Sequence, residues 1–408
     1  MRSVLLRAEH DVCVYDFRAE SLEHALMRLS AGVSSQSDII GFTCFFDSYL
    51  FIERAIQVLR AKCPRAIMLV GGPTPSALPE VFLKEAKADV VALGEGESAI
   101  VALAGAPHCI DLYDCIPGIA WQPIDGGSVR STAQQVVECL DDLPACDWSY
   151  ADLSKSLSPM FSAGRGCPGR CTFCNKRFGP KRFRSPEVLR RDLSYVRDVL
   201  SGNVFFFNDS DFVHDNRFLT EYCSILKEGA WEWSCFASPY GLTPELLVHL
   251  FNCGCTNIRI GVEAHDEEMI RRHRPGFSLP EMNRALEILE ASPIPHITCY
   301  YALGLPGQTP KSLETILREV KNRKRIVPRA FQLLPLPGSA VFQMATQEAR
   351  VEDVPAFLRS LESVRLDEIS TAVPNLSACT PLSLAEAYRE LACHATERNN
   401  AGGTAFFP

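Results

Sequence analysis

Short apolar runs alternate with longer amphipathic stretches from the start of this chain, and glycine or proline marks most of the joins. Ser3 to Ala8 reads as a helix and Val12 to Tyr15 as a brief strand after the turn at Glu9-His10-Asp11. Asp38 to Phe42 (DIIGF), Ala66 to Val70 and Ala88 to Leu93 read as buried strands. Between them Tyr49 to Lys62 and Leu78 to Lys87 carry helical periodicity, and another helix starts at Ser98. Strands alternating with helices predict a Rossmann-like parallel sheet covered on both faces. Ligands of such sheets sit beyond the carboxyl ends of the strands, here at Thr43-Cys44, Gly71-Gly72 and the Gly94-Glu95-Gly96-Glu97 turn.

Residues 105–152 break the rhythm. They hold Ile116-Pro117-Gly118, a hairpin signal at Asp125-Gly126-Gly127, then Leu143-Pro144 and Trp148, and read as an interdomain connection. From 153 the alternation resumes with longer helices. Strands are predicted at Ser158–Ser162, Val204–Asn208, Trp233–Ala237, Asn257–Gly261, Ile297–Leu303 and Phe331–Leu334. Helix starts are marked by Ser185-Pro186-Glu187, Thr243-Pro244-Glu245, Ser278-Leu279-Pro280-Glu281 and Thr309-Pro310. Six strands with intervening helices predict a partial (β/α)6, TIM-like barrel. The expected organisation is therefore 1–104 as a Rossmann-like domain, 105–152 as a connection, 153–345 as the barrel and 346–408 as a helical C-terminal region. That last region has a capping-box pattern at Ser383 to Glu386 and a helix to about Arg398, placed to cover the barrel mouth.

Composition narrows the function classes. With 47% hydrophobic and 22% charged residues over 408 positions, the chain has the balance of a globular protein of two or three domains. A net charge of -8 argues against a dedicated nucleic-acid or anionic-membrane binder, and the one basic run, Lys181 to Arg184, reads as a solvated face. No run of about 20 apolar residues and no signal-peptide core occur, so a cytoplasmic location is expected. Seventeen cysteines there read as free thiols, with Cys13, Cys63, Cys223, Cys235 and Cys299 as small apolar side chains.

Three cysteines stand apart. Cys167, Cys171 and Cys174 fall within SAGRGCPGRCTFCNKRFGP (Ser162 to Pro180) at C-x3-C-x2-C spacing. Thiolates suit iron-sulfur clusters or zinc, and three without a nearby fourth ligand leave one coordination position open. A structural zinc site normally closes with four protein ligands, and no second CxxC or H-x3-H pair follows.

The spacing, the preceding Arg165-Gly166 and the aromatic Phe173 before the last cysteine resemble the cluster loop of the radical S-adenosylmethionine (radical SAM) superfamily. The resemblance implies a [4Fe-4S] cluster on Cys167, Cys171 and Cys174, with SAM on the fourth iron. One electron then cleaves SAM to methionine and a 5'-deoxyadenosyl radical, so an electron donor such as flavodoxin or ferredoxin is implied. Further matches supply expected SAM contacts. Asp209 follows the second barrel strand where the family binds the SAM amino group, although a turn aspartate is an equal reading. Gly261-Val262-Glu263 resembles the family's G-x-E stretch, and Leu303 and Gly304 of GLPG its adenine shelf, with Phe173 flanking the same ring. Ser238 stands where the family often has an arginine; a hydroxyl cannot form a bidentate ion pair with the SAM carboxylate.

Upstream, D-I-I-G-F-T, the Gly71-Gly72-Pro73 turn and GEGE, in this order, look like the cobalamin-binding domain of one large radical SAM class. That likeness implies corrin contacts at Thr43, Cys44, Gly71, Gly72 and Glu95. The family's first strand and its D-x-H-x-x-G loop are not found ahead of the helix at 3–8, and His10 reads as an exposed turn residue. Cobalamin is then expected to be held without a protein imidazole on cobalt. The implied activity is hydrogen abstraction from an unactivated carbon of a metabolite or peptide intermediate, with cobalamin-dependent C-methylation in natural product biosynthesis as the outcome. The alternative is a cobalamin-independent dehydration, cyclisation or rearrangement with a vestigial N-terminal domain. A non-catalytic iron-sulfur electron carrier has no need of the G-x-E and GLPG stretches. The cysteine-bearing N-terminal domain and RNA-binding tail of methylthiotransferases are not recognisable here. No nucleic-acid or membrane partner is expected.

Overall fold

A computed structural model describes residues 1–17, 20–123, 125–147, 149, 160–175, 179–200, 203–365 and 367–401. Trp148 and the first two residues of the strand expected at 158–162 lie outside them. The chain divides into two units, Met1–Ala151 with Pro335–Val364, and Asp152–Leu334 with Arg365–Pro408.

The first unit contains, in order, α1 (Arg2–Arg7), α2 (Leu22–Gly32), β1 (Ile39–Thr43), α3 (Tyr49–Lys62), β2 (Ile67–Gly71), α4 (Pro73–Ala77), α5 (Pro79–Lys84), β3 (Val90–Ala92), α6 (Glu97–Gly105), β4 (Ile119–Trp121) and β5 (Arg130–Ser131). Its sheet runs β1-β2-β3-β4-β5. The first three strands are parallel, whereas β4 and β5 form an antiparallel hairpin across the Asp125-Gly126-Gly127 turn. The hairpin buries Ile119 and Trp121 in the same core as Val4, Leu69, Val90 and Leu103. On the other face Tyr49 of α3 packs edge-on against Phe82 of α5 at 5.3 Å.

The strand expected at Val12–Tyr15 does not form. Residues 10–17 carry no regular structure, and β1 is the edge of the sheet. Apolar alternation makes a strand only where a ladder satisfies its backbone, and among the described residues none flanks the outer side of β1. Tyr15 instead packs beside α2, its hydroxyl donating to the Gly32 carbonyl at 2.7 Å.

The second unit opens with β6 (Met160–Phe161), β7 (Gly164–Arg165) and β8 (Arg182–Phe183), followed by α7 (Pro186–Leu200), β9 (Val204–Phe207), α8 (Leu219–Glu228) and β10 (Glu232–Ala237). Then come α9 (Pro244–Asn252), β11 (Cys255–Glu263), α10 (Glu267–His273), α11 (Leu279–Glu290), β12 (His296–Leu303), α12 (Pro310–Asn322) and β13 (Ile326–Gln332). Strands β6, β9, β10, β11, β12 and β13 form one parallel sheet in chain order, the partial barrel. The expected helix starts hold: Ser185, Thr243, Ser278 and Thr309 each accept a backbone N–H from the first turn. Inside the wall, Phe205, Phe207, Phe212 and Trp233 pack at 4.1 to 5.6 Å between neighbouring rings.

The sixth barrel strand runs Ile326–Gln332, earlier than the Phe331–Leu334 expected. Pro328 pairs with Cys299 of β12, and a proline is tolerated there because β13 is an edge strand. Beyond it, α13 (Ala340–Gln347) and α14 (Val354–Ser360) belong to the first unit, where Arg359 meets Glu53 of α3 through two hydrogen bonds at 2.6 and 2.9 Å. The last helix, α15 (Pro381–Ala401), packs on β13 and α12 in the second unit. Its cap is Thr380, whose hydroxyl accepts the Ser383 N–H at 3.1 Å, so the box expected at Ser383–Glu386 is one turn too late. Among the described residues no helix is long and apolar enough to cross a membrane.

Candidate active site

The loop carrying Cys167, Cys171 and Cys174 leaves the barrel after β6 and is closed at its base by the two-residue ladder of β7 with β8. Gly166, at φ +87, presses so closely on this base that an added Cβ would lie 2.2 Å from the Pro180 carbonyl oxygen. Asp209 pins the same base from the end of β9. Its carboxylate accepts the Ala163 N–H at 3.1 Å and also the Gly164 N–H, and burial pushes its pKa up to about 7 against the pull of these two bonds.

Within the loop all three cysteines are half-buried. A Cβ on Gly169 would meet Cys167 Sγ at 3.3 Å and Cys171 Sγ at 3.8 Å, so these sulfurs turn toward the same side of the loop. Burial raises the Cys171 thiol to about 11, opposed by Arg274 and reinforced by Glu263. Cys167 is raised for the same reason, with the Gly169 N–H on its sulfur at 3.4 Å working the other way.

A histidine that sequence reading passed over ties this loop to the fifth barrel strand's exit. His273 is buried; its Nε2–H donates to the Pro306 carbonyl at 2.8 Å, which leaves Nδ1 to accept from the Thr172 hydroxyl at 2.7 Å. The Thr172 N–H donates to the His273 carbonyl at 3.0 Å, so the two residues are joined twice. Desolvation lowers the His273 pKa and favours this neutral tautomer.

Glu263 ends β11 in an unusual conformation. The pairing of β11 with β12 slips between Gly261 and Glu263, Glu263 has φ 66, and the Ala264 N–H closes back on the Val262 carbonyl at 2.8 Å. A bulge followed by a positive-φ turn re-aims the side chain at an energetic cost, a combination that clusters at functional sites. The carboxylate is buried, burial raises its pKa to about 7, and Oε2 has no hydrogen-bond partner. Arg274, also missed in the sequence, donates to the Gly261 carbonyl, stacks 4.4 Å over Phe277 and partly offsets the Glu263 charge. At the end of β10 the Ser238 hydroxyl is likewise buried without a partner.

The Leu303–Gly304 exit of β12 is held from within. Gln308, fully buried, accepts the Gly304 N–H at 2.7 Å and donates to the Ala302 carbonyl at 3.2 Å. Gly304 sits at φ +94. The C-terminal segment crosses these exits: Ala378 donates to the Gln308 carbonyl at 2.9 Å, and Ser370 and Gln332 exchange bonds at 2.7 and 3.0 Å. Phe173 lies half-buried in the turn between Cys171 and Cys174.

In the first unit the carboxyl ends of β1 and β2 bring four of the singled-out residues together. Thr43 pairs with Gly71, Cys44 donates to the Gly71 carbonyl at 2.8 Å, and a Cβ on Gly72 would lie 2.3 Å from the Cys44 carbonyl oxygen. Directly after Gly72-Pro73, the fully buried Thr74 hydroxyl has no partner, and Phe45 is exposed beside Cys44. Glu95 is placed differently: its carboxylate accepts the Val137 N–H at 2.6 Å and so fastens residues 135–137 to the GEGE turn. His10 is half-exposed in the turn after α1.

Comparison with known proteins agrees with both units. The profile of the Radical SAM superfamily matches residues 161–320, and that of the B12 binding domain matches residues 3–104. The chain is 25% identical over 338 residues to the anaerobic magnesium-protoporphyrin IX monomethyl ester cyclase of Rubrivivax gelatinosus, covering 78% of this chain and 60% of the relative. It is 23% identical over 299 residues to an uncharacterized protein of Methanocaldococcus jannaschii, covering 71% of this chain and 63% of that one. The chain therefore spans about three fifths of the length of these curated relatives. Among solved structures, the radical SAM methyltransferase TsrM of Kitasatospora setae, with cobalamin and a [4Fe-4S] cluster bound, superposes with a TM-score of 0.72 at 16% identity, over 96% of this chain and 87% of that one. The cobalamin-dependent radical SAM enzyme OxsB, with aqua-cobalamin and SAM bound, gives 0.61 at 17% identity, over 93% of this chain and 55% of its own.

The residues present fit the cofactors of these families. The unpartnered Ser238 hydroxyl can donate to an incoming carboxylate and Glu263 Oε2 can accept from an incoming donor, the cysteine loop offers three soft ligands, and the orphaned Thr74 hydroxyl lies among the β1 and β2 exits. The chain therefore carries a radical SAM domain over residues 161–320 and, ahead of it, a B12-binding domain over residues 3–104, a pairing that implies a [4Fe-4S] cluster, S-adenosylmethionine and cobalamin as cofactors.

Proposed function

We propose that this enzyme methylates an unactivated carbon of a small metabolite or peptide intermediate, with cobalamin carrying the methyl group. The observation that carries the reading is the pairing of a B12-binding domain at 3–104 with a radical SAM domain at 161–320. The likeness in fold to a radical SAM methyltransferase, TsrM, supports it. When bound, the cluster and SAM supply a 5'-deoxyadenosyl radical that abstracts hydrogen, and cobalamin supplies the methyl group.

In this reading Cys167, Cys171 and Cys174 ligate the cluster, and the Gly169 N–H favours thiolate at Cys167. Glu263 accepts SAM ribose or amino-acid donors through its free Oε2, and Ser238 donates to the SAM carboxylate. Leu303 and Gly304, fixed by Gln308, offer backbone and apolar contact to the adenine, with Phe173 at its edge. Asp209 chiefly holds the loop base, yet each of its oxygens keeps a second acceptor site for the SAM amino group. Thr43, Cys44, Gly71 and Gly72 form the corrin platform, and Glu95 shapes it through the Val137 contact. A flavodoxin or ferredoxin is the proposed electron donor, in a reducing cytoplasm suited to seventeen cysteines.

A second reading, ring formation or another rearrangement at the same radical site, is favoured by the match to the Rubrivivax cyclase. Methyl-labelled SAM separates the two. Reconstituted enzyme given hydroxocobalamin, reductant and candidate substrates should release S-adenosylhomocysteine and 5'-deoxyadenosine and pass label first to the corrinoid, then to a product heavier by one CH2. Reductive SAM cleavage with no label leaving the methionine would exclude methylation and favour rearrangement.

A further inference from the structure

Two buried thiols and a histidine meet at the other end of the barrel wall, on elements that the radical chemistry does not use. Cys223 lies in α8, His249 in the last turn of α9, and Cys253 caps that helix just before β11 begins at Cys255. The candidate SAM contacts lie at the carboxyl ends of the strands, whereas this group sits where β11 starts. His249 and Cys253 are four residues apart, the spacing that stacks side chains on one helix face, and Cys223 reaches them from the neighbouring helix. Their ligand atoms, the two Sγ and an imidazole nitrogen, all lie within 4.8 Å of one another.

We propose that Cys223, His249 and Cys253 form a second metal centre that takes Zn²⁺. Charge is the first reason. Cys223 and Cys253 are almost fully buried, and their thiols lie side by side with the His249 imidazole. Two thiols facing each other are weak hydrogen-bond partners. Two thiolates with a neutral imidazole around a divalent cation make a site of zero net charge, so no uncompensated charge is buried.

Ligand chemistry is the second reason. Two thiolates and one imidazole are a zinc set, and tetrahedral bonds of about 2.0 to 2.3 Å need ligand atoms about 3.5 to 3.8 Å apart, an inward adjustment of at most about 1 Å for atoms that already lie within 4.8 Å of one another. Cys255, next along the chain, donates its thiol to the Asn257 carbonyl at 3.8 Å and is not within the triad. His249 is exposed, so water completes the fourth position from the solvent side.

The scaffold is already fixed around the triad. The Cys253 carbonyl accepts the Trp233 indole N–H at 2.7 Å, and its N–H donates to the Leu250 carbonyl at 3.1 Å. Gly254 then turns the chain at φ +89, where an added Cβ would lie 2.0 Å from the Trp231 carbonyl oxygen. A metal here clamps α8 to the α9–β11 turn and leaves the cluster loop untouched.

The test uses the anaerobically reconstituted full chain incubated with Zn²⁺ and desalted. About one zinc per chain is expected in addition to cluster iron, and zinc-edge X-ray absorption should give two sulfurs near 2.3 Å and a nitrogen near 2.0 to 2.1 Å. His249→Ala, at an exposed position that folding tolerates, should lower zinc affinity at least tenfold with iron content unchanged, and the Cys223→Ser, Cys253→Ser double variant should abolish zinc binding. Three results overturn the proposal: no zinc retained by the wild type, an all-sulfur shell that disappears when Cys167, Cys171 and Cys174 are replaced, or undiminished zinc affinity in His249→Ala.

Discussion

Replacing Glu263 with glutamine should stabilise the ligand-free protein at alkaline pH while weakening its hold on SAM. Burial lifts this carboxyl from an ordinary 4.5 to about 7, with Arg274 opposing the rise. The folded pKa lies above the unfolded one, so below the unfolded value both states are protonated and the folded protein bears no penalty. As pH rises the unfolded chain ionises first, and the penalty is complete only above the folded pKa. Between about pH 5.5 and about pH 8 this linkage removes about 2 kcal/mol from the wild-type stability. Glutamine does not ionise, so the advantage of the variant over the wild type in urea unfolding of cluster-free protein should grow by about that amount across the window. With SAM present the order reverses, because the amide removes an acceptor for ribose or ammonium donors. SAM affinity of the cluster-loaded variant should fall by about 1 to 3 kcal/mol, or about 5- to 150-fold, measured by equilibrium dialysis. A stability difference that ignores pH, or SAM affinity that ignores the substitution, refutes the picture of a buried carboxylate waiting for a ligand.

Changing any one of Cys167, Cys171 or Cys174 to alanine should reduce iron well below about four per chain and abolish 5'-deoxyadenosine formation, read by iron analysis and chromatography. His273→Leu should cost about 1 to 3 kcal/mol in urea unfolding, because it strands the Pro306 carbonyl and the Thr172 hydroxyl; His273→Gln, which offers both a donor and an acceptor, should recover much of the loss. Hydroxocobalamin should be retained on dialysis, and its reduced Co(II) form should give an EPR spectrum without imidazole nitrogen splitting. A splitting that disappears in His10→Ala would make His10 a cobalt ligand.

Local chemistry was the legible part of this chain. Ser185, Thr243, Ser278 and Thr309 announce helices because a cap and its first turn lie within four residues, and all four cap as expected. Glycine-punctuated apolar runs located the barrel strands for a similar reason. Errors came where a neighbour decides. Pro328 reads as a break in a strand, and only membership of an edge, visible in the sheet order, makes it acceptable. Val12–Tyr15 alternates like a strand yet has no ladder among the described residues, and α2, which buries Ala25 and Leu29 behind its Ser21 cap, was not recognised. Of the site, the cysteines and Glu263 stood out because motifs carry them. Arg274 and His273 did not, since their significance lies in contacts with Gly261, Thr172 and Pro306 that no short sequence window contains.

Hydrogen-bond accounting divides the barrel mouth into two kinds of polar residue. Asp209, His273 and Gln308 are buried with their polar atoms engaged: Asp209 on two amides of the loop base, His273 between the loop and the Pro306 carbonyl, Gln308 across the Gly304 turn. Each ties one strand exit or loop to another, so their bonds fix geometry before any ligand arrives. Glu263 Oε2 and the Ser238 hydroxyl are buried with nothing to bond, and Glu263 is held at positive φ as well. A protein gains nothing in stability from such groups, since an unsatisfied buried polar atom costs about 1 to 3 kcal/mol. Persistence of that cost at the ends of two adjacent strands, supported by residues whose own bonds are complete, is the arrangement expected of a ligand site built in advance of its ligand. The two kinds should therefore respond oppositely to mutation. Removing a connector lowers stability with or without SAM, whereas removing Glu263 harms only the complex.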